Sequence, residues 1–171
     1  MNLSQYTEPL SRTPEILRVV LVGPPEEWLN ARHVPDVFSP REALAHLLIV
    51  EREWGWIFRI QRVLDPDYTE DGQEILEADY ARANTIESML DEFHSIRIRS
   101  IERLHELDLS PSDLEKSVFD PEFGVESVRN QLAGWVAHDL YHLGQIFKSF
   151  ASLYQDEIGP YQQHLNLPHF N

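Results

Sequence analysis

The sequence predicts an all-α protein, a four-helix bundle with long connections between its helices. Two observations predict this class. Apolar residues recur with the 3.6-residue period of amphipathic helices over four long stretches, and no segment between those stretches alternates convincingly as a strand would. The chain has 171 residues, of which 42% are hydrophobic and 25% are charged. These values are typical of an ordinary globular protein and predict a single domain over 1–171.

The first two predicted helices have explicit boundaries. The first runs from about Thr7 to Val22 and ends at Gly23-Pro24-Pro25, because proline cannot continue a helix. A short helical turn is predicted over 26–31. The second helix begins at Ser39-Pro40-Arg41-Glu42, which supplies a capping serine, a proline at the first helical position and a glutamate three residues after the cap. It is predicted to continue to about Leu64.

The third predicted helix spans about Asn84 to Leu107, with Asn84 and Glu87 as its capping pair, and the fourth runs from about Val125 to Tyr154. The segment 66–83 is acidic and poor in apolar residues, and 109–124 is rich in proline and aspartate, so both are predicted to be loops. The connections between the first and second, second and third, and third and fourth helices are all long for a plain up-and-down bundle, and we expect some of them to cross the bundle ends.

The charge balance excludes several classes of partner. The formal net charge is −15, so the surface should repel both nucleic acid and anionic lipid.

There is no cysteine, which excludes disulfide scaffolds, zinc ribbons and thiolate nucleophiles. The most apolar stretches, 16–22 and 44–50, are short and interrupted by Arg18 and His46, and the N-terminus does not resemble a secretory signal. We therefore expect no nucleic acid, no membrane and a cytoplasmic location.

Three histidines are candidate metal ligands. His138 and His142 are four residues apart, so both imidazoles project from one face of the last long helix. With eight histidines in the chain this spacing alone is weak, but the pair lies mid-helix among apolar residues. His46 lies in an apolar run of the second helix. If the two helices are neighbours, the three imidazoles form a facial site that leaves positions on a metal ion open.

The ordinary interpretation of a histidine is a hydrogen-bonded core or surface residue. We give that interpretation to the remaining five: His33, His94, His105, His164 and His169. Asp139 either accepts a hydrogen bond from a ligand or marks a polar edge of the helix, and Gln145, one turn beyond His142, is predicted to line the same pocket. Gly134 and Gly144 are costly in a helix, which predicts close helix packing there.

A carboxylate-bridged di-iron bundle is the obvious alternative metal protein. It needs a Glu-x-x-His pair on each of two helices and two further glutamates. Only Glu102 and His105 have that spacing, and the pair has no mate elsewhere in the sequence. We therefore exclude this class.

The motifs together resemble the DinB-like superfamily, the damage-inducible and thiol-transferase-related metalloenzymes. The resemblance rests on FSPREALAH at 38–46 with Glu51 downstream, on FDPEFG at 119–124 and on WVAHDLYHLGQI at 135–146. It covers about 8–154, which we take as the core of the domain, and leaves 155–171 as a C-terminal tail.

The resemblance implies a four-helix bundle of non-standard handedness and connection order. It also implies one divalent metal ion held by His46, His138 and His142, with zinc or nickel favoured and manganese or iron as alternatives. A homodimer and a low-molecular-weight thiol as co-substrate are further implications. Glu51 matches a position that is often acidic in the family, but it lies about 140° around the helix from His46, so we do not assign it as a ligand.

The leading hypothesis is a mononuclear metal enzyme acting on a small-molecule substrate, either a thiol-dependent transferase or a related hydrolase or isomerase. The ion would lower the pKa of a bound thiol or water. The candidate catalytic residues are Tyr141, Gln145 and Glu53, the last of which lies two turns from His46 on the same face.

The alternative is a non-enzymatic, dimeric stress or interaction protein with a structural or vestigial metal. An open site with three protein ligands would favour the enzyme, and a closed site with four would favour the alternative.

Overall fold

The computed structural model describes residues 2–52, 55–69 and 76–165, and it is a four-helix bundle. Four long helices build the bundle, and shorter elements lie in the connections. In chain order the elements are α1 (Ser4–Leu21), α2 (Glu26–Leu29), α3 (Pro40–Arg52), α4 (Trp56–Leu64), α5 (Glu77–Ala83), α6 (Ile86–Glu106), β1 (Ser117–Asp120), β2 (Gly124–Ser127), α7 (Val128–Ser152) and α8 (Gln162–Leu165).

The long helices are not arranged in chain order. Helix α1 packs against α6 and α7, and α3 packs against the same two helices, with α4 extending the α3 contact along α7. Helices α1 and α3 therefore lie on one diagonal of the bundle, and α6 and α7 lie on the other. The connections 22–39 and 107–127 join diagonal partners across the ends of the bundle, which confirms the expectation drawn from their length.

Two groups of buried apolar side chains fill the interior. One is built mainly from α3, α6 and the C-terminal half of α7, and the other from α1, α4 and the N-terminal half of α7. Fully buried members of the first include Leu44, Leu48, Met89 and Phe93, and of the second Leu10, Ile60, Leu104 and Trp135. Arg97 touches both groups, since its guanidinium lies 4.7 Å from the Phe93 ring centroid and 5.3 Å from that of Trp135.

The first helix starts earlier than predicted. It begins at Ser4 rather than Thr7, because Asn2 and Gln5 form a reciprocal cap that the sequence analysis missed. The Asn2 side chain accepts from the Gln5 backbone N–H at 3.2 Å, and the Gln5 side-chain oxygen accepts from the Asn2 N–H at 2.8 Å.

The second predicted helix is two helices. Gly55 is extended (φ −41°, ψ 139°) and separates α3 from α4, so the prediction of one continuous helix to Leu64 is wrong. A β-carbon at Gly55 would lie 2.8 Å from the carbonyl oxygen of Glu51, and only glycine fits here without a shift. Glycine has low helix propensity, and this is the physical reason for the break.

The predicted loop 66–83 ends in a helix. Residues 70–75 lie outside the described residues, but Glu77–Ala83 form α5, so that part of the prediction is wrong. Its sequence, EADYARA, is rich in good helix formers. The cap of the third long helix is Thr85 and not Asn84, because the Thr85 hydroxyl accepts from the Ser88 N–H at 3.1 Å.

The connection before the last helix contains a hairpin. Strands β1 and β2 pair antiparallel, and Gly124 at the turn has φ +84°. The last helix therefore begins at Val128 rather than Val125. Its capping box joins Ser127 and Asn130, each side chain accepting from the backbone N–H of the other. The expectation that no strand is present is wrong at this hairpin.

Candidate metal centre

The three predicted ligands lie together where α3 packs against α7. Each of His46, His138 and His142 offers one ring nitrogen, and these nitrogens all lie within 4.8 Å of one another. The Nε2 atoms of His46 and His138 are 3.1 Å apart. His142 is buried, and the other two rings are partly exposed.

The outer nitrogens of two rings are held by side-chain oxygens. His46 Nδ1 lies 3.1 Å from Glu77 Oε1 on α5, and His142 Nδ1 lies 2.7 Å from Gln145 Oε1 one turn along α7. A carboxylate or amide oxygen can only accept, so each Nδ1 carries the hydrogen and donates it. The Nε2 lone pairs of His46 and His142 are then left for the cluster, which is the orientation that ligating histidines usually have.

Burial keeps the two α7 histidines neutral. Burial, together with the smaller effect of the neighbouring rings of the cluster, lowers the pKa of His138 to about 3 and the pKa of His142 to about 4. Metal ions bind the neutral imidazole, so a cation binding near pH 7 would displace few protons from these two rings.

Aromatic rings border the histidines. The Phe38 ring centroid lies 5.0 Å from that of His46, the Trp56 centroid 5.7 Å from that of His138, and the Tyr141 centroid 5.1 Å from that of His142. These rings restrict solvent around the cluster and limit the rotamers of the imidazoles.

The donor set fits a borderline-soft divalent metal ion. Imidazole nitrogen suits zinc, copper, iron and nickel, whereas calcium and magnesium prefer oxygen. Among the described residues, no fourth histidine or carboxylate joins the three imidazoles. Three protein ligands leave coordination positions open, as in catalytic rather than structural zinc sites.

The three candidate catalytic residues have different outcomes. Gln145 lies against His142, as described above. The Tyr141 hydroxyl accepts from Gln145 Nε2 at 3.3 Å, and its side chain is 63% exposed. Glu53 lies outside the described residues.

A second polar cluster is buried behind the histidines. We call Arg97, Glu51, Asp139 and Trp135 the Arg97 cluster. Arg97 on α6 is 1% exposed and Asp139 2% exposed. Asp139 pairs with Arg97 at 2.5 and 3.0 Å, and Glu51 pairs with it at 3.0 and 3.1 Å. Neither role considered for Asp139 from sequence is correct, because its carboxylate is committed to Arg97.

The Arg97 cluster is saturated. The fifth N–H of Arg97 donates to the backbone oxygen of Leu10 at 3.0 Å, and Trp135 Nε1 donates to Glu51 at 3.0 Å. Burial by itself lowers the pKa of Arg97, but the two carboxylates raise it above its usual value. Glu51 lies outside the histidine group, in agreement with its not being assigned as a ligand.

Three of the other five histidines have the ordinary structural role that the sequence predicts. His33 is buried, with Nδ1 3.1 Å from the Ser149 hydroxyl, and His94 and His105 are exposed. His169 lies outside the described residues.

Close packing at Gly134 is confirmed, since a β-carbon there would lie 3.0 Å from the Trp56 ring. The same prediction is wrong at Gly144, where a β-carbon would have no neighbour within 4 Å among the described residues.

The sequence analysis missed Glu77 and the role of Arg97. Glu77 lies in a segment interpreted as a loop, and the helix-forming composition of 77–83 was the signal available. Arg97 lies four residues after Phe93 and four before Ile101, so it interrupts an apolar stripe. A charge in that position was a sign of a buried ion pair.

Fold and site together define a class: helical bundles that present three histidines from two neighbouring helices to one metal ion. The sequence model of the DinB superfamily matches residues 10–146, and the chain belongs to that superfamily.

Among solved structures, the chain is similar to YfiT from Bacillus subtilis, with a TM-score of 0.71 and 13% sequence identity over 90% of each chain. That protein is described as a probable metal-dependent hydrolase with an unusual four-helix bundle topology. No functionally curated protein matches the chain. None of the described helices is long and apolar enough to cross a membrane.

Proposed function

We propose that this protein is a mononuclear metal-dependent enzyme acting on a small molecule, with His46, His138 and His142 as the metal ligands. The observation that carries the proposal is the inward orientation of the imidazoles, two of which have their outer nitrogens held by Glu77 and Gln145. We propose zinc or nickel as the ion, because both suit an all-imidazole donor set.

The surrounding charge also supports a cation at this position. The Arg97 cluster contains two carboxylates and one guanidinium, which leaves one negative charge in excess behind the histidines. Glu77 adds a carboxylate on the α5 side at 3.1 Å from His46. Glu77 and Asp139 therefore favour positive charge beside His46 and His142, whereas the guanidiniums of Arg97 and Arg59 oppose it at His138.

An ion bound here would supply Lewis acidity, which brings the pKa of water or a thiol toward neutrality. Glu77 and Gln145 would fix the tautomers of His46 and His142. Tyr141 offers a hydroxyl at the exposed side of the centre, where it would orient a substrate. The nucleophile is proposed to be water, in a hydrolase, or a small thiol, in a transferase. Since the chain has no cysteine, a thiol would have to be a co-substrate.

Metal content tests the proposal directly. The full chain, purified without a nickel column, is expected to contain about one transition-metal ion per chain by mass spectrometry. His46→Gln and His142→Gln should each lose it while keeping the far-UV circular dichroism of the helices. His94→Gln, a change at an exposed histidine of α6, is the matched control and should keep the metal. Full occupancy in both site variants would overturn the ligand assignment.

Coordination and turnover then separate the possible functions. X-ray absorption showing three imidazoles and exchangeable water favours the enzyme, whereas four protein ligands would favour the structural alternative. Ester and amide substrates, each with and without a small thiol, distinguish hydrolysis from thiol transfer. The homodimer, the cytoplasmic location and the lack of nucleic-acid binding stay predictions.

A further inference from the structure

A cavity lies between α4 and the hairpin, lined in part by Arg59, whose guanidinium contacts Trp56. Its volume is about 440 Å³, within the range of small-molecule sites. Val63 and Val118 supply apolar surface, and Phe58 and Phe123 supply aromatic surface. The charged side chains of its lining are Arg59, Arg62, Asp120, Glu122 and Glu126.

Arg59 is the distinctive residue of this cavity. Its guanidinium lies 5.6 Å from the ring centroid of Trp56 and 5.6 Å from that of Phe123, so it forms a cation–π contact with each ring. The side chain is half-buried, and no acceptor oxygen pairs with its guanidinium among the described residues. The two contacts hold the guanidinium beside the cavity, where its N–H groups can donate to an anion.

The acidic residues of the cavity are mostly committed elsewhere. Asp120 accepts from the backbone N–H groups of Glu122 at 2.8 Å and Phe123 at 3.2 Å, which lowers its pKa. Asp120 also faces Arg62 at 4.0 Å. Glu126 accepts from the side chain of Gln131 at 2.7 Å. Asp120 and Glu126 thus accept hydrogen bonds from neighbouring N–H groups, and the charge of Asp120 acts on Arg59 without a direct ion pair between the two described residues.

Trp56 connects the cavity to the histidine centre. Its ring contacts His138 edge-on, with a centroid distance of 5.7 Å, and also carries the Arg59 guanidinium. The same ring is held against α7, where a β-carbon at Gly134 would lie 3.0 Å from it. Trp56 thus contacts both the Arg59 guanidinium of the cavity and the His138 ring of the centre.

We propose that this cavity binds the substrate of the metal centre, and that the substrate is a small organic anion whose carboxylate or phosphate pairs with Arg59 while its apolar body lies against Phe58 and Phe123. The inference rests on the proposed function in assigning the anion as substrate. The anion site itself depends only on the cavity and on Arg59.

The test uses four ligands that share one ring: benzoate, phenyl phosphate, benzyl alcohol and benzylammonium. Calorimetry with the metal-free full chain should show at least one of the two anions binding about ten-fold or more tighter than the alcohol, since only an anion forms a charge-assisted pair. Arg59→Met keeps the apolar stem and should remove that preference. Arg99→Met, at an exposed arginine of α6 outside the cavity, should keep it.

A second measurement places the cavity beside the centre. In the unmodified chain, the bound anion should raise the zinc affinity several-fold, because nearby opposite charges favour each other's binding. In Arg59→Met, the zinc affinity should be the same with and without the anion. A preference for benzylammonium, equal anion binding by Arg59→Met, or the absence of any effect on zinc would each overturn the proposal. A further outcome is that the chain takes up no zinc but still binds the anion through Arg59. That result would overturn the proposed function and would leave an anion site without a metal partner.

Discussion

The bundle contains two buried polar groups that share α3 and α7 and yet differ in kind. In the Arg97 cluster every N–H of the guanidinium has an acceptor, supplied by Glu51, Asp139 and Leu10. In the histidine centre the outer nitrogens of two rings are held, while the inner nitrogens face one another. A saturated group stabilises the fold, whereas ring nitrogens that hydrogen-bond only one another, as His46 Nε2 and His138 Nε2 do at 3.1 Å, are available to a ligand that replaces that bond.

The difference predicts opposite responses to mutation. Removing one member of the saturated cluster leaves charges buried without a partner, so stability should fall. Removing a member of the histidine centre leaves neutral groups, so binding should fall with little effect on folding.

The largest effect is expected at Arg97. Arg97→Met should lower the free energy of unfolding by about 3–5 kcal/mol, because it leaves two carboxylates unpaired in the interior. Urea denaturation measures the change. Arg99→Met on the same helix is exposed and should change stability by less than about 0.5 kcal/mol. Similar losses in the two variants would mean that the cluster does not stabilise the fold as described.

An intermediate effect is expected at Gln145. Gln145→Leu removes the acceptor that holds the His142 tautomer, and zinc affinity should fall about 10–100-fold. Competition with a chromophoric chelator gives the affinity. The unfolding free energy of the metal-free variant should stay within about 0.5 kcal/mol of the unmodified chain. Gln155→Leu, beyond the end of α7, is the control. Unchanged affinity in Gln145→Leu would show that the hydrogen bond does not serve the ligand.

The smallest effect is expected from acid. The pKa values of His138 and His142 are lowered in the folded chain to about 3 and about 4, so below pH 6.5 the unfolded chain binds more protons than the folded one. Stability of the metal-free protein should therefore be complete above about pH 6.5 and decrease toward pH 5. The loss should be on the order of 1 kcal/mol, since the His138 ring is partly exposed and solvent screens its charge.

The double variant His138→Gln/His142→Gln supplies the reference for that measurement. Carboxylates common to both proteins cancel in the difference between their denaturation curves. The double variant should show a flatter dependence between pH 6.5 and pH 5. Parallel curves would contradict the assignment of neutral, buried imidazoles.

The histidine centre was predictable because its signals are local. Two histidines four residues apart share a helix face, and Gln145 follows one turn later, so the spacing alone places them together. The third ligand required only that α3 and α7 be neighbours. The capping serine at 39 and the prolines at 24 and 25 set helix boundaries in the same local way.

The Arg97 cluster was not predictable in the same way. Its members come from three helices, and the acceptor at Leu10 is a backbone oxygen that no side-chain pattern reveals. The helical angle between Glu51 and His46 excludes Glu51 as a ligand, but it gives no information about a partner on α6. The hairpin and α5 were missed because four to seven residues are too few to establish a period.

The diagonal order of the helices has a consequence for how the chain reaches its native state. Arg97 joins Leu10 across 87 positions of sequence, and Trp135 joins Glu51 across 84. Forming such a contact closes a large loop, so the chain loses conformational entropy before the contact stabilises it. In simple bundles, by contrast, helices that are adjacent in sequence pair early. Contacts between helices that are distant in sequence raise the contact order of this bundle. It should fold more slowly than bundles of equal length whose neighbouring helices are also neighbours in sequence.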